Sequence, residues 1–137
     1  RWDIAVPHPA DPARSLGVLR LRNRGLGTSG AAIQQFEANG RTYGHILDPR
    51  TGAPAVGGPI SVTVLAPTAA EADALSTAFY LLGPEGAAPY LAAHPEVGAL
   101  FVRDGLRVVP VNLTASDFVA DLEAVASRDV LFDPIPT

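Results

Sequence analysis

The sequence predicts an α+β domain in which an antiparallel sheet packs against two or three helices. Three observations predict it. Short alternating or β-branched runs occupy both ends of the chain, and Asn39-Gly40 and Asp104-Gly105 divide four of them in the manner of type I′ hairpins. Thr68 to Gly83 carries the start and stop signals of a helix. No alternating strand–helix–strand pattern and no GxGxxG is present, so a parallel dinucleotide-binding sheet is not supported.

The elements follow in order. Trp2, Ile4 and Val6 alternate as in a strand, and the proline-rich stretch Pro7 to Arg14 reads as a loop. Leu16 to Arg22 alternates again, and Asn23 to Gly30 is turn-rich. Ile33–Glu37 and Arg41–Leu47 form the two arms of the first hairpin. Asp48 to Gly58 is a Pro/Gly-shaped loop, and Ile60 to Leu65 is a β-branched strand. Thr68 and Glu71 have capping-box spacing for a helix over Ala69–Leu82, which Gly83 terminates. Pro84 opens a second helix ending near His94-Pro95. Gly98–Arg103 and Leu106–Asn112 form the second hairpin. Thr114 or Ser116 caps a last helix in which Phe118, Leu122 and Val125 share a face, and residues 133–137 read as a loose tail.

Length and composition fit one domain with its own core: 137 residues, 47% hydrophobic and 18% charged. No apolar run is long enough to span a membrane, and with no cysteine there is no disulfide or thiolate chemistry. The net charge of −4 argues against a general nucleic-acid binder. Charge is uneven, however. Residues 1–50 carry seven Arg against four acids, and residues 51–137 carry three against ten. A basic first third suits an anionic small molecule; an ordinary mixed surface accounts for it equally.

Three segments could carry chemistry. Thr28-Ser29-Gly30 follows a glycine-rich turn and could offer amides and hydroxyls to an anion, although a plain turn explains it as simply. In His45-Ile46-Leu47-Asp48-Pro49-Arg50-Thr51-Gly52, His45 is the best candidate base, Asp48 could orient it or bind a ligand hydroxyl, and Arg50 could pair with a phosphate. The competing reading is an Asx-Pro turn beside a half-buried histidine. On the capped helix, Asp73 and Thr77 stand at i and i+4. Their two oxygens suit Mg²⁺, which keeps waters and takes substrate phosphates as further ligands. A solvent-facing Asp and a Thr bonded back to a carbonyl fit the same pattern.

These segments occur together and in this order, with the flanks Tyr43-Gly44, Ala53-Pro54, Ser61-Val62-Thr63-Val64 and Ala72-Asp73-Ala74-Leu75-Ser76-Thr77-Ala78, in one family. From about Trp2 to about Val111 the sequence resembles the carboxy-terminal half of the ApbE family of flavin transferases. The resemblance implies transfer of FMN from FAD to a Ser or Thr hydroxyl of an acceptor protein, with Mg²⁺ required and AMP leaving. It implies that Asp73 and Thr77 are metal ligands and that His45 is the base near the phosphoryl group. It places Ser29, Gly30, His45, Ile46 and Asp48 near FAD. Water and a protein hydroxyl use the same metal and phosphate, so an FAD pyrophosphatase stays open, as does a non-catalytic flavin-binding module.

Nothing here matches the family's amino-terminal half, and position 1 is not methionine. The expectation is therefore a single domain over 1–137 that forms the carboxy-terminal part of a longer transferase. That half supplies part of the flavin pocket in the family, so the chain is expected to be incomplete alone. By the same resemblance, a periplasmic or membrane-anchored location through a leader outside this chain is expected.

Overall fold

The computed structural model describes residues 1–30 and 35–135. The elements are β1 (Trp2–His8), β2 (Asp11–Leu21), β3 (Gly25–Gly30), β4 (Gln35–Ala38), β5 (Arg41–Gly44), β6 (Leu47–Asp48), β7 (Ala53–Pro54), β8 (Ser61–Ala66), α1 (Ala69–Ala93), β9 (Gly98–Arg103), β10 (Arg107–Val111), β11 (Phe118–Ala120), α2 (Leu122–Ser127) and β12 (Leu131–Phe132). The α+β expectation holds, but the strands do not form one sheet. A five-stranded sheet runs β12-β10-β9-β8-β3, a three-stranded sheet runs β1-β2-β11, and β4-β5 and β6-β7 are two-stranded. All pairs are antiparallel except β12, which joins β10 in parallel.

The five-stranded sheet is the middle layer. Along β8, Val62, Val64 and Ala66 pack with Phe79, Ala87 and Leu91 of α1, while Leu65 packs on the other face with Leu19 and Phe118 of the three-stranded sheet. β9 alternates in the same way: Ala99 and Phe101 face α1, and Leu100 and Val102 face away. A strand covered on both faces needs apolar residues at successive positions, and β8 has them in Val64-Leu65-Ala66, while Thr63, on the face turned away from α1, is buried with its hydroxyl bonded to that of Thr28.

α1 begins as its sequence dictates. Thr68 accepts a hydrogen bond from the Glu71 amide at 3.2 Å, and Glu71 accepts one from the Thr68 amide at 3.1 Å. Two of the helix's unpaired amino-terminal donors are thereby satisfied. Thr68→Ala should lower stability by about 1 kcal/mol, read as a small downward shift of the thermal melt with unchanged helix content. Gly83 is non-helical, with φ 69° and ψ 174°, so α1 is two helical segments meeting at a kink, as the Gly83-Pro84 pair predicts. The far end is closed from outside: the Asn112 amide donates to the carbonyls of Leu91 at 2.7 Å and Val97 at 3.0 Å.

Four expectations are corrected. Pro7 to Arg14 is not a loop; β1 and β2 continue through it as a hairpin, with register shifts at Val6/Pro7 and Pro7/His8. β1 is an edge strand, so a proline's missing N–H leaves no partner unsatisfied. Asp104-Gly105 is not a two-residue turn. Arg103 pairs with Arg107 across residues 104–106, with positive φ at Gly105 and Leu106. Phe118 is not on a helix with Leu122 and Val125. Thr114 and Asp117 close a turn through bonds from the Thr114 amide and hydroxyl to the Asp117 carboxylate, Phe118 enters β11 beside β2, and Asp121 caps the short α2. Leu122 and Val125 are exposed. Finally, the start of the expected loose tail is tied down, since the Asp133 amide donates to the Val108 carbonyl and its carboxylate pairs with Arg107. Pro136, Thr137 and the Ile33 end of the expected strand lie outside the described residues.

Candidate functional site

The site starts from the absence of side chains. Gly25, Gly27 and Ser29 alternate along β3 and share its α1 face. A Cβ at Gly25 would lie 2.3 Å from the Ala69 nitrogen, and one at Gly27 would lie 2.7 Å from the Ala72 carbonyl and the Asp73 nitrogen. The strand therefore rests directly on the helix backbone, which only glycine permits. One step further along, Ser29 has room for a hydroxyl. Its Oγ lies 2.9 Å from the Ser76 Oγ and 3.0 Å from the Thr77 Oγ1. Ser76, fully buried, donates to the Asp73 carbonyl at 2.9 Å. The structure thus brings Ser29, Ser76 and Thr77 together, with Asp73 one turn before Thr77 on α1. Both Asp73 and Thr77 are exposed.

The His45 loop is built differently. His45 follows β5 and is exposed. Ile46 is buried in the cluster beneath α1, and its carbonyl accepts from the Ala55 amide at 2.9 Å, which anchors the loop to the core. Asp48 and Thr51-Gly52 form a tight turn in which the Gly52 amide donates to the Asp48 carbonyl at 2.8 Å. The Asp48 carboxylate is held by Arg50, with Nε at 2.9 Å from one oxygen and a terminal nitrogen at 2.8 Å from the other. That bidentate bond holds the Asp48 carboxyl below the usual carboxylate range. Asp48 and Arg50 serve each other in this state, and the Asx-type turn is present. Among the described residues no hydrogen bond joins His45 to Asp48, Ser29, Asp73 or Thr77. Gly30 ends β3 against the Ile60 carbonyl.

Ser76 is the residue that sequence reasoning missed. Its only signal was a serine on the inward side of an otherwise apolar helix face, three residues after Asp73. The basic first third resolves into a separate feature. Arg1, Arg20, Arg22 and Arg24 line a polar pocket with Ser116 and Asp117, at the Gly25 end of β3 rather than the Ser29 end. An apolar pocket lined by Ile4, Leu19, Leu26, Thr28 and Ile60 lies on the β3 face turned away from α1.

The donor set fits a hard, oxygen-preferring cation in part. Asp73 supplies a carboxylate and Thr77 a hydroxyl on one helix face, and a Mg²⁺ ion completes its shell with waters and phosphate oxygens. Among the described residues no group of three or more His, Cys, Asp or Glu side chains gathers, so these two side chains would act without a further carboxylate or imidazole beside them.

The sequence pattern of the ApbE family matches residues 1–101. The chain belongs to the ApbE family. It is 40% identical over 87 residues to the FAD:protein FMN transferase of Escherichia coli K12, covering 63% of this chain and 25% of that protein. It is 39% identical over 109 residues to the enzyme of the same name from Treponema pallidum, covering 78% and 30%. Among solved structures, the ApbE protein of Thermotoga maritima superposes with a TM-score of 0.66 at 35% identity, over 76% of this chain and 34% of that one. The apo flavinyl transferase ApbE of Pseudomonas stutzeri gives 0.56 at 32%, over 88% and 34%. The chain spans between a quarter and about a third of the length of these relatives.

Proposed function

We propose that this chain supplies the metal-holding part of an FAD:protein FMN transferase that uses Mg²⁺, accepts a Ser or Thr hydroxyl of a protein, and releases AMP. The observation that carries the reading is the carboxylate–hydroxyl pair Asp73 and Thr77, presented by α1 at the spot where β3 delivers Ser29, within the stretch that matches the family. The names of the relatives support the flavin substrate.

The chemistry is a displacement at the FMN phosphorus. The acceptor oxygen forms the new P–O bond, the pyrophosphate bridge P–O bond breaks, and AMP leaves with that electron pair. Bound Mg²⁺ would offset the charge on the phosphate oxygens. Asp73 and Thr77 would hold it. His45, exposed at the end of β5, would take the acceptor's hydroxyl proton. Ile46, buried beneath α1, fixes the backbone on which His45 stands, and Asp48 with Arg50 stiffens the turn that follows. Ser29 and Gly30 would border the flavin substrate.

The test is AMP release from FAD with Mg²⁺ and an acceptor peptide, comparing the chain with Asp73→Ala. Lewis-acid stabilisation of several kcal/mol at 1.36 kcal/mol per tenfold predicts a loss of at least about a hundredfold. AMP formed equally without acceptor would reassign the chain as an FAD pyrophosphatase. FAD binding that survives Asp73→Ala unchanged, with no AMP from either protein, would favour a flavin-binding module.

A further inference from the structure

Each hydroxyl has one proton, and that count orders the cluster around Ser29. The Asp73 carbonyl only accepts, so the Ser76 proton is committed to it. Ser76 then accepts in its contact with Ser29, and the Ser29 proton is spent there. In the remaining contact Ser29 must accept, so the Thr77 hydroxyl donates. The relay runs Thr77 to Ser29 to Ser76 to the Asp73 carbonyl. It ends on the backbone of the residue whose side chain stands beside Thr77.

We infer that Ser29 and Ser76 are positioning residues that fix the Thr77 hydroxyl proton inward and leave its lone pairs facing outward, toward the place a divalent cation would take beside Asp73. A hydroxyl that ligates a cation must send its proton elsewhere, and groups behind a ligand commonly supply the acceptor. Ser29 is that acceptor here, and it can accept because Ser76, anchored on α1, takes its proton. The inference deepens the proposed function and rests on its reading of Asp73 and Thr77. It shifts Ser29 from bordering the flavin to orienting the residue that holds the cation. Thr28 provides an internal contrast. Its hydroxyl lies 2.9 Å from that of Thr63 on the opposite face of β3, so it is a comparable strand-to-neighbour bond outside the relay.

The experiment titrates the 137-residue chain with Mn²⁺ alone, as a spectroscopic stand-in for Mg²⁺, following loss of the free-ion electron paramagnetic signal, with thermal melts alongside. Ser29→Ala should weaken binding by about tenfold or more, the range seen when a group behind a metal ligand is removed. Ser29→Thr, which keeps the hydroxyl, should restore it. Ser76→Ala should weaken it by releasing the Ser29 proton toward Thr77. Thr28→Ala should change the melt as much as Ser29→Ala does and leave Mn²⁺ binding alone. In the absence of metal, the melts of Ser29→Ala, Thr77→Ala and the double variant should be non-additive. Wild-type binding that Asp73→Ala abolishes and Ser29→Ala leaves intact would overturn the relay while the metal reading stands. No saturable binding by the wild type, or binding indifferent to Asp73→Ala, would remove the metal reading and the relay with it. Additive melts would show that the hydroxyls are not linked.

Discussion

Phe79→Ala should lower stability by about 3–5 kcal/mol, the range for emptying an aromatic site in a packed core. For a chain of this length that is a fall of roughly 10–15 °C in the thermal midpoint. The size follows from what the ring joins. Phe79 sits in the first segment of α1, before the Gly83 kink, and is almost fully buried. Its ring meets Tyr90 of the second segment edge-on at 5.7 Å and Phe101 of β9 at 6.3 Å. Gly83 leaves helical φ/ψ and Pro84 has no amide hydrogen to donate, so side chains help set the angle between the two segments. Alanine would remove that bridge and leave a cavity that the rigid sheet cannot collapse into. Leu82→Ala, one residue before the kink and half exposed, is the control and should move the melt far less. A fall of only about 3 °C for Phe79→Ala would mean that the segments are held from elsewhere.

That packing arrangement was legible in the sequence only in pieces. Local signals survived because their causes are local. Asn39 and Gly40 both take positive φ in the first hairpin, and Thr68, Glu71 and Gly83 bracket the first half of α1 as their spacing dictates. The Phe118, Leu122 and Val125 pattern failed because helical spacing alone cannot register a competing partner. Pairing with β2 takes Phe118 into a strand, and Asp121 restarts the chain as a short helix that turns Ala124 inward and Leu122 and Val125 outward. At the site, Asp73 and Thr77 could be paired from their i, i+4 spacing. The contact of Ser29 with Ser76 and Thr77 could not, because it joins residues 47 and 48 positions apart. Its cause is visible afterwards as Gly25-x-Gly27-x-Ser29, an alternation that reads in sequence as a turn-rich stretch and in three dimensions as a strand face cleared for a helix.

Clearing that face makes Gly27→Ala the second large effect. The added Cβ would sit 2.7 Å from backbone atoms of Ala72 and Asp73, a separation that side chains do not sustain against a helix backbone. Either β3 lifts from α1 or the helix shifts, and overpacking of this kind costs about 1–3 kcal/mol. The functional consequence should exceed the thermodynamic one. Ser29 is two residues along the same strand, and its bonds to Ser76 and Thr77 have little slack at 2.9 and 3.0 Å. A lift of a few tenths of an ångström at Gly27 would open both. Gly40→Ala separates the two effects. Gly40 has φ +74° and nothing within 4 Å of an added Cβ, so alanine there brings backbone strain of about 1–2 kcal/mol with no wedge. The two variants should melt at comparably reduced temperatures, while Mn²⁺ binding falls in Gly27→Ala and stays at the wild-type level in Gly40→Ala. Equal binding in both would show that the small-residue face of β3 serves packing alone. A parallel loss in both would trace the defect to general destabilisation rather than to the approach of strand and helix.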